Sequence, residues 1–290
     1  MMEIMPALLP SQKRGMTNHY FSNDLVVMHY YRFGSGPKNM FCFHGYGMHG
    51  KQFKILEETM GDKYTFYGFD LFFHKNTVLK DQSVIAVKKG ISKSQLAILF
   101  KDFCRTTGID RFSIIAYSMG SYYATSLVEE MPEQIEELLI AAPSSLKPGK
   151  LLTFLSANRL GNKVLERMAL SDNAMTRFLS VLKRTKIIDQ KAYDILFKEV
   201  SSPDLRFSFY ACASYMRFLK LDAEKFISKL NQHKIRSVFI FGERDRNYPA
   251  AIGQAVIPKI NLAKQFIINE NHDMINRNFA NILPGLLHDH

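Results

Sequence analysis

Residues 114–124 read IIAYSMGSYYA. An apolar run ends in Ser118, held between small residues, and a second apolar run follows at a different spacing. The first run has the character of a strand and the second that of a helix. A sharp strand-to-helix turn brings the two backbones close together, and small residues at Ala116 and Gly120 relieve that crowding. Such a turn holds the Ser118 hydroxyl out at the carboxyl edge of a sheet, where open α/β folds bind ligands. A serine hydroxyl is a poor nucleophile near neutral pH. It needs a base within hydrogen-bond reach, and the base needs an acid that orients it. With both in place the chemistry is attack on an acyl carbonyl.

The elements around Ser118 alternate. Short, nearly continuous apolar runs at 24–34, 40–45, 64–70, 111–118, 135–143, 235–242 and 263–269 read as strands. Helical spacing appears at 94–108, with a serine start and a glycine stop, at 120–132, ended before Pro132, at 249–260, and again near the C-terminus. The first two strands are expected as neighbours joined by the GSGPKN turn, and residues 1–20 show no clear pattern. The fold class is therefore α/β, a mostly parallel central sheet with helices on both faces. Between 146 and 234 no strand is evident and the helical stretches are several, so this segment reads as an all-helical insertion.

The pentapeptide Ala116-Tyr117-Ser118-Met119-Gly120 resembles the nucleophile elbow of the α/β-hydrolase fold, with alanine at the first glycine position. In that family the acid and then the histidine follow the serine in the chain. Asp245 lies three residues past a strand end, in FGERDRNYP, and His272 lies in the loop after the last strand, in INENHDM. The resemblance makes Ser118, Asp245 and His272 the expected catalytic triad. His19 and His29 precede the sheet core, His233 ends the insertion, and His288 and His290 sit in the tail, so they fit less well as bases. Glu243 lies in the tighter part of the acid's turn. FHGYGMHG (43–50) is similar to the family's His-Gly-x motif. By that match the backbone amides of Tyr46 and Met119 form the oxyanion hole, Gly45 belongs to the motif, and His44 braces the loop. A loop common in the family keeps Asp70, His74 and Thr77 here but replaces its proline and glycines, and Phe53 and Ser121 also depart from the pattern.

The resemblance implies a capped serine hydrolase, with residues 20–145 and 235–290 as the two parts of the core and 146–234 as the lid. Serine at 118 argues against the epoxide-hydrolase and dehalogenase branches, which use aspartate there. The triad alone does not separate ester or thioester hydrolysis from C–C cleavage, acyl transfer, lyase or synthase chemistry, or from a ligand-binding protein with little turnover. No metal or organic cofactor is implied. The lid's aromatics Phe154, Phe178, Phe207, Phe209, Tyr210, Tyr215 and Phe218, with Met168, Met175 and Met216, are open either to lining an acyl pocket or to packing the lid on itself.

Charge points the same way but less specifically. The net charge is +11, and the insertion holds 17 Lys/Arg against 8 Asp/Glu. A small-molecule substrate is the expected partner, and the basic segment is open either to favouring an anionic one or to being only a solvated face. Nothing resembles a nucleic-acid-binding motif. Cys42, Cys104 and Cys212 are few and widely spaced, which argues against a disulfide framework or a zinc site. No run reaches roughly 18 consecutive apolar residues, and the N-terminal order of charge and apolar residues is wrong for a secretory signal. The expected location is the cytoplasm. Hydrophobic residues make up 47% of the chain, enough for a substantial core.

Overall fold

The computed structural model describes residues 16–288. The N-terminal stretch weighed as a signal, and His290, lie outside them. The strands are β1 (Thr17–Ser22), β2 (Val26–Phe33), β3 (Lys38–Phe43), β4 (Tyr64–Phe69), β5 (Val78–Leu79), β6 (Phe112–Tyr117), β7 (Ile135–Ala141), β8 (Arg236–Gly242) and β9 (Ala263–Ile268). They form one sheet in the order β1-β2-β4-β3-β6-β7-β8-β9, with β5 beside β2. The pairings among β4, β3, β6, β7, β8 and β9 are all parallel, and those of β2 with β1, β4 and β5 are antiparallel.

The helices are α1 (Glu57–Met60), α2 (Val84–Lys89), α3 (Lys93–Thr107), α4 (Ser121–Glu130), α5 (Lys150–Ala157), α6 (Arg159–Leu170), α7 (Ala174–Arg184), α8 (Gln190–Lys198), α9 (Pro203–Tyr215), α10 (Ala223–Gln232) and α11 (Arg277–His288). The period-two alternation of β3 shows how they cover the sheet. Phe41 and Phe43 join the core formed with α3, α4 and α10, through side chains such as Phe100, Tyr123 and Phe226. Met40 and Cys42 join the opposite core, with Met60 of α1 and Phe279 of α11. Both sheet faces are thus buried, which is why the central strands are apolar almost throughout.

The structure differs from the sequence reading in several places. β2 and β3 are not neighbours, because β4 lies between them. Every residue of β4 is buried, and a strand so apolar needs a partner on each side. The turn after β2 crosses the start of β4, with Ser35 N–H donating to Gly61 O and Lys38 N–H to Lys63 O. β1 was not evident in sequence; Thr17–Ser22 is mostly polar because it is an exposed edge strand. α3 starts at a capping box made by Ser92 and Gln95, two residues before the expected Ser94. The run at 249–260 forms two 3₁₀ turns, Ala250–Gly253 and Ile257–Lys259, not a helix. Pro258 lacks the N–H that a helical ladder would need there.

Between β7 and β8 the chain is helical. Asn158 divides the expected 150–170 stretch, since its side chain caps α6 by accepting from Leu160 N–H and Gly161 N–H. Leu165, Met175, Leu179 and Tyr210 give α6, α7 and α9 a core of their own. α10 instead packs on α4: Phe226 and Leu230 enter the main core, and Lys225 Nζ lies 2.7 Å from Glu130. Among the described residues no helix is long and apolar enough to cross a membrane.

Phe41 is fully buried and stacks on Phe112 at 4.0 Å between ring centroids. Phe41→Ala is expected to cost about 3–5 kcal/mol, read as a lower urea midpoint at unchanged slope. A cost within error would mean that this core is not close-packed around β3.

Candidate active site

β6 ends at Tyr117, and the chain passes through a 3₁₀ turn, Ser118–Gly120, into α4. Ser118 has a φ of +48°, in the left-handed region. A non-glycine residue held there stores roughly 1–3 kcal/mol of strain, so its surroundings must over-determine it. They do. A Cβ on Gly120 would come 2.1 Å from the carbonyl oxygen of Phe43, so only glycine lets β3 and the turn approach this closely. Ala116 is fully buried, in register between Phe43 of β3 and Ile140 of β7.

The loops after β8 and β9 meet this turn. Ser118 Oγ lies 3.1 Å from His272 Nε2, and His272 Nδ1 lies 2.7 Å from Asp245 Oδ2. Asp245 Oδ1 accepts from the backbone N–H groups of Asn247 and Tyr248, at 2.9 and 3.0 Å. Burial alone would raise the Asp245 carboxyl. The bonds from His272 and the two amides outweigh it and hold the group below the usual carboxylate range. An ionised Asp245 can only accept, so His272 Nδ1 carries a proton, and in the neutral imidazole Nε2 is then the acceptor facing Ser118. The imidazole is held from outside as well. Tyr117 O–H donates to His272 O at 2.7 Å, and the rings of Tyr117 and Tyr248 lie 5.5 and 5.3 Å from it.

The loop after β3 lies against the same turn. His44 Nε2 accepts from Leu71 N–H at 3.0 Å, and its Nδ1 donates to Gly45 O at 2.7 Å. His74 repeats the arrangement, accepting from Gly47 N–H at 3.0 Å and donating to Phe72 O at 2.8 Å. Each imidazole must stay neutral to accept from an amide. Burial, aided for His44 by neighbouring His74, pushes both toward that form, His44 well below its ordinary value. Tyr46 and Met119 flank the cavity that opens over Ser118. Their backbone amides donate to no protein acceptor among the described residues. A Cβ on Gly45 would meet the Tyr117 ring at 2.7 Å. So every residue singled out in this region by sequence falls within one cluster at the carboxyl edge of the sheet.

The cavity measures about 240 Å³. Its wall includes Met119 and Tyr46 from the core and Phe209, Cys212 and Met216 from α9 and its end. Burial pushes the Cys212 thiol up to about 12, so it remains an uncharged, apolar wall. Of the other aromatics and methionines considered for lining, Phe178, Phe207, Tyr210, Met168 and Met175 pack into the α6–α9 core. Tyr215 joins the main core, and Phe154 and Phe218 are exposed. Among the described residues no group of three or more His, Cys, Asp or Glu side chains is gathered that could hold a metal ion.

The sequence matches no family model and no curated protein. Solved structures are similar to it throughout. An esterase from Thermogutta terrifontis shares 12% identity at a TM-score of 0.66, over 91% of this chain and 94% of its own. An alpha/beta hydrolase enzyme from a Medee basin deep-sea metagenome shares 15% at 0.66, over 93% and 97%. The thioesterase domain from the curacin biosynthetic pathway shares 13% at 0.62, over 94% and 99%.

The chain has the α/β-hydrolase fold. The shared topology explains why the ends of β3, β6, β8 and β9 converge on one edge. Sequence reasoning gave no role to Tyr117 and Tyr248 as walls of the imidazole, or to His29 and Thr77 beneath the loop after β4. His29 Nδ1 pairs with Asp70 Oδ2 at 2.7 Å, Asp70 Oδ1 accepts from Gly50 N–H, and Thr77 Oγ1 donates to Asp70 O. Only the retained Asp70 and Thr77 of that departing loop hinted at this bracket.

His44 and His74 make folding stability depend on pH with a definite sign. Both folded-state values lie below the ordinary 6.5, so the unfolded chain binds these protons first. Their contribution is full above about pH 6.5 and is lost as pH falls below it. The melting temperature should therefore drop on acidification. His74→Gln, whose amide oxygen can still accept from Gly47 N–H, should drop less steeply. Parallel slopes for the two proteins would contradict the assignment.

Proposed function

We propose that this protein is a serine hydrolase. It cleaves a carboxylic ester or thioester of a small to medium, partly apolar substrate through an acyl-enzyme on Ser118. The observation that carries the reading is the continuous chain of hydrogen bonds from Ser118 Oγ through His272 to a buried, doubly amide-bound Asp245. That chain puts an imidazole base in line with the hydroxyl.

The steps follow from the geometry. Ser118 Oγ attacks the acyl carbon as its proton passes to His272 Nε2. The carbonyl oxygen becomes an oxyanion and takes the free amides of Tyr46 and Met119 as donors. Asp245 stabilises the imidazolium that forms. His272 returns the proton to the leaving alkoxide or thiolate, and the C–O or C–S bond breaks. Water then enters by the same route: His272 takes its proton as its oxygen bonds to the acyl carbon, the acyl–Oγ bond breaks, and His272 returns the proton to Ser118 Oγ. In this reading helices α5–α9 are a lid that shapes the pocket and excludes water.

A panel of p-nitrophenyl esters and acyl thioesters of increasing chain length tests it. Ser118→Ala and His272→Ala should each lower kcat by about 10⁴-fold or more while melting like the wild type. Full turnover by Ser118→Ala would sink the triad. For the wild type, kcat/KM should fall on the acid side, because a protonated imidazole cannot accept the serine proton. A rate independent of pH across that limb would contradict a histidine base.

A further inference from the structure

The cavity over Ser118 has one charged feature. Among the described residues that line it, only Arg217 and Lys220 carry charge, and both are cations. They lie three residues apart, just past the end of α9. Basic residues elsewhere in the insertion, such as Arg159, Lys163, Arg167, Arg177 and Lys183, are exposed to solvent and absent from the cavity wall. The segment's excess of positive charge is thus mostly a solvated surface, with two cations set apart in the pocket.

Among the described residues no carboxylate pairs with Arg217 or Lys220. Elsewhere in the same region Glu166 pairs with Lys88 at 2.6 Å and Asp172 with Arg206 at 3.6 Å. The Arg217 guanidinium is instead fixed in place by neutral groups. It donates to the backbone carbonyls of Ser214 and Lys88 and lies over the Phe218 ring, 4.1 Å from its centroid. Carbonyl dipoles and a ring face orient a guanidinium but leave its full charge. Arg217 is also half-buried, and burial pulls its pKa down from the ordinary value. An oriented, partly desolvated cation with no protein counter-ion attracts an anion more strongly than a solvated one does.

On the reading of the site as a serine hydrolase, we propose that the substrate is an ester or thioester bearing an anionic group. In this arrangement Arg217 and Lys220 select that group while Ser118 attacks the acyl carbon. Met119, Phe209 and Met216 give the same cavity an apolar part of its wall. The substrate is therefore amphipathic, with a reactive carbonyl, an apolar middle and a charged end.

Matched pairs of substrates test this, with the anion on either side of the scissile bond. The acyl-side pair is mono-p-nitrophenyl adipate and its methyl ester. The leaving-group pair is the butyryl thioester of 3-mercaptopropionate and its methyl ester. In at least one pair the wild type should favour the anionic member in kcat/KM by about tenfold or more, and less so as NaCl is raised. Lys220→Glu should reduce that ratio or invert it, and Arg217→Gln should reduce it. If Arg217→Gln fails to fold, Lys220→Glu, at an exposed position, still decides the matter. Equal rates within both pairs, with turnover that still requires Ser118, would overturn this inference and leave the hydrolase reading standing. So would a preference that both variants retain. No turnover of any member would overturn the hydrolase reading and this inference with it.

Discussion

The left-handed turn at Ser118, wedged against the end of β3, is the constraint on which the site depends. Its backbone is strained, and it persists because Gly120 packs directly against the Phe43 carbonyl. The same contact places the loop after β3 beside the turn, so Tyr46 and Met119 line one cavity. A larger residue at 120 would separate β3 from the turn and the two residues with them. Parallel pairing of β3, β6, β7, β8 and β9 then brings the acid and the histidine to the same edge.

Electrostatics around the turn divide cleanly by protonation state. Asp245 is held ionised by three hydrogen bonds despite its burial. His44 and His74 are held neutral by burial, each between an amide it accepts from and a carbonyl it donates to. The first arrangement orients the His272 imidazole toward Ser118, and the second fixes the loop after β3 against the turn. The same pocket is lined by Arg217 and Lys220, with which no carboxylate pairs among the described residues.

Much of the centre was legible in the sequence because it is built from short local signals. Ser118 between small residues, Asp245 and His272 each just past an apolar strand, and the glycines after Phe43 are all visible within a few positions. The parallel sheet was legible because its strands, buried on both faces, are apolar throughout. What was hidden depends on pairing across the fold. The insertion of β4 between β2 and β3 leaves no mark on either neighbour's pattern. β1 lacks alternation because an exposed edge strand has little to bury. The 249–260 run carried helical spacing, but proline decided its backbone. The cationic end of the pocket was diluted in sequence by exposed lysines and arginines around it. Only placement in three dimensions separates Arg217 and Lys220 from them.

The central claim is that Ser118 is an activated nucleophile. Intact mass after treatment with a fluorophosphonate tests it most directly, because covalent capture needs the activated hydroxyl and no knowledge of the substrate. The expected result is a single adduct on the wild type, mapped to Ser118, with none on Ser118→Ala and slow labelling of His272→Ala. A folded wild-type protein that takes up no adduct, or one labelled equally well without Ser118, would contradict the account.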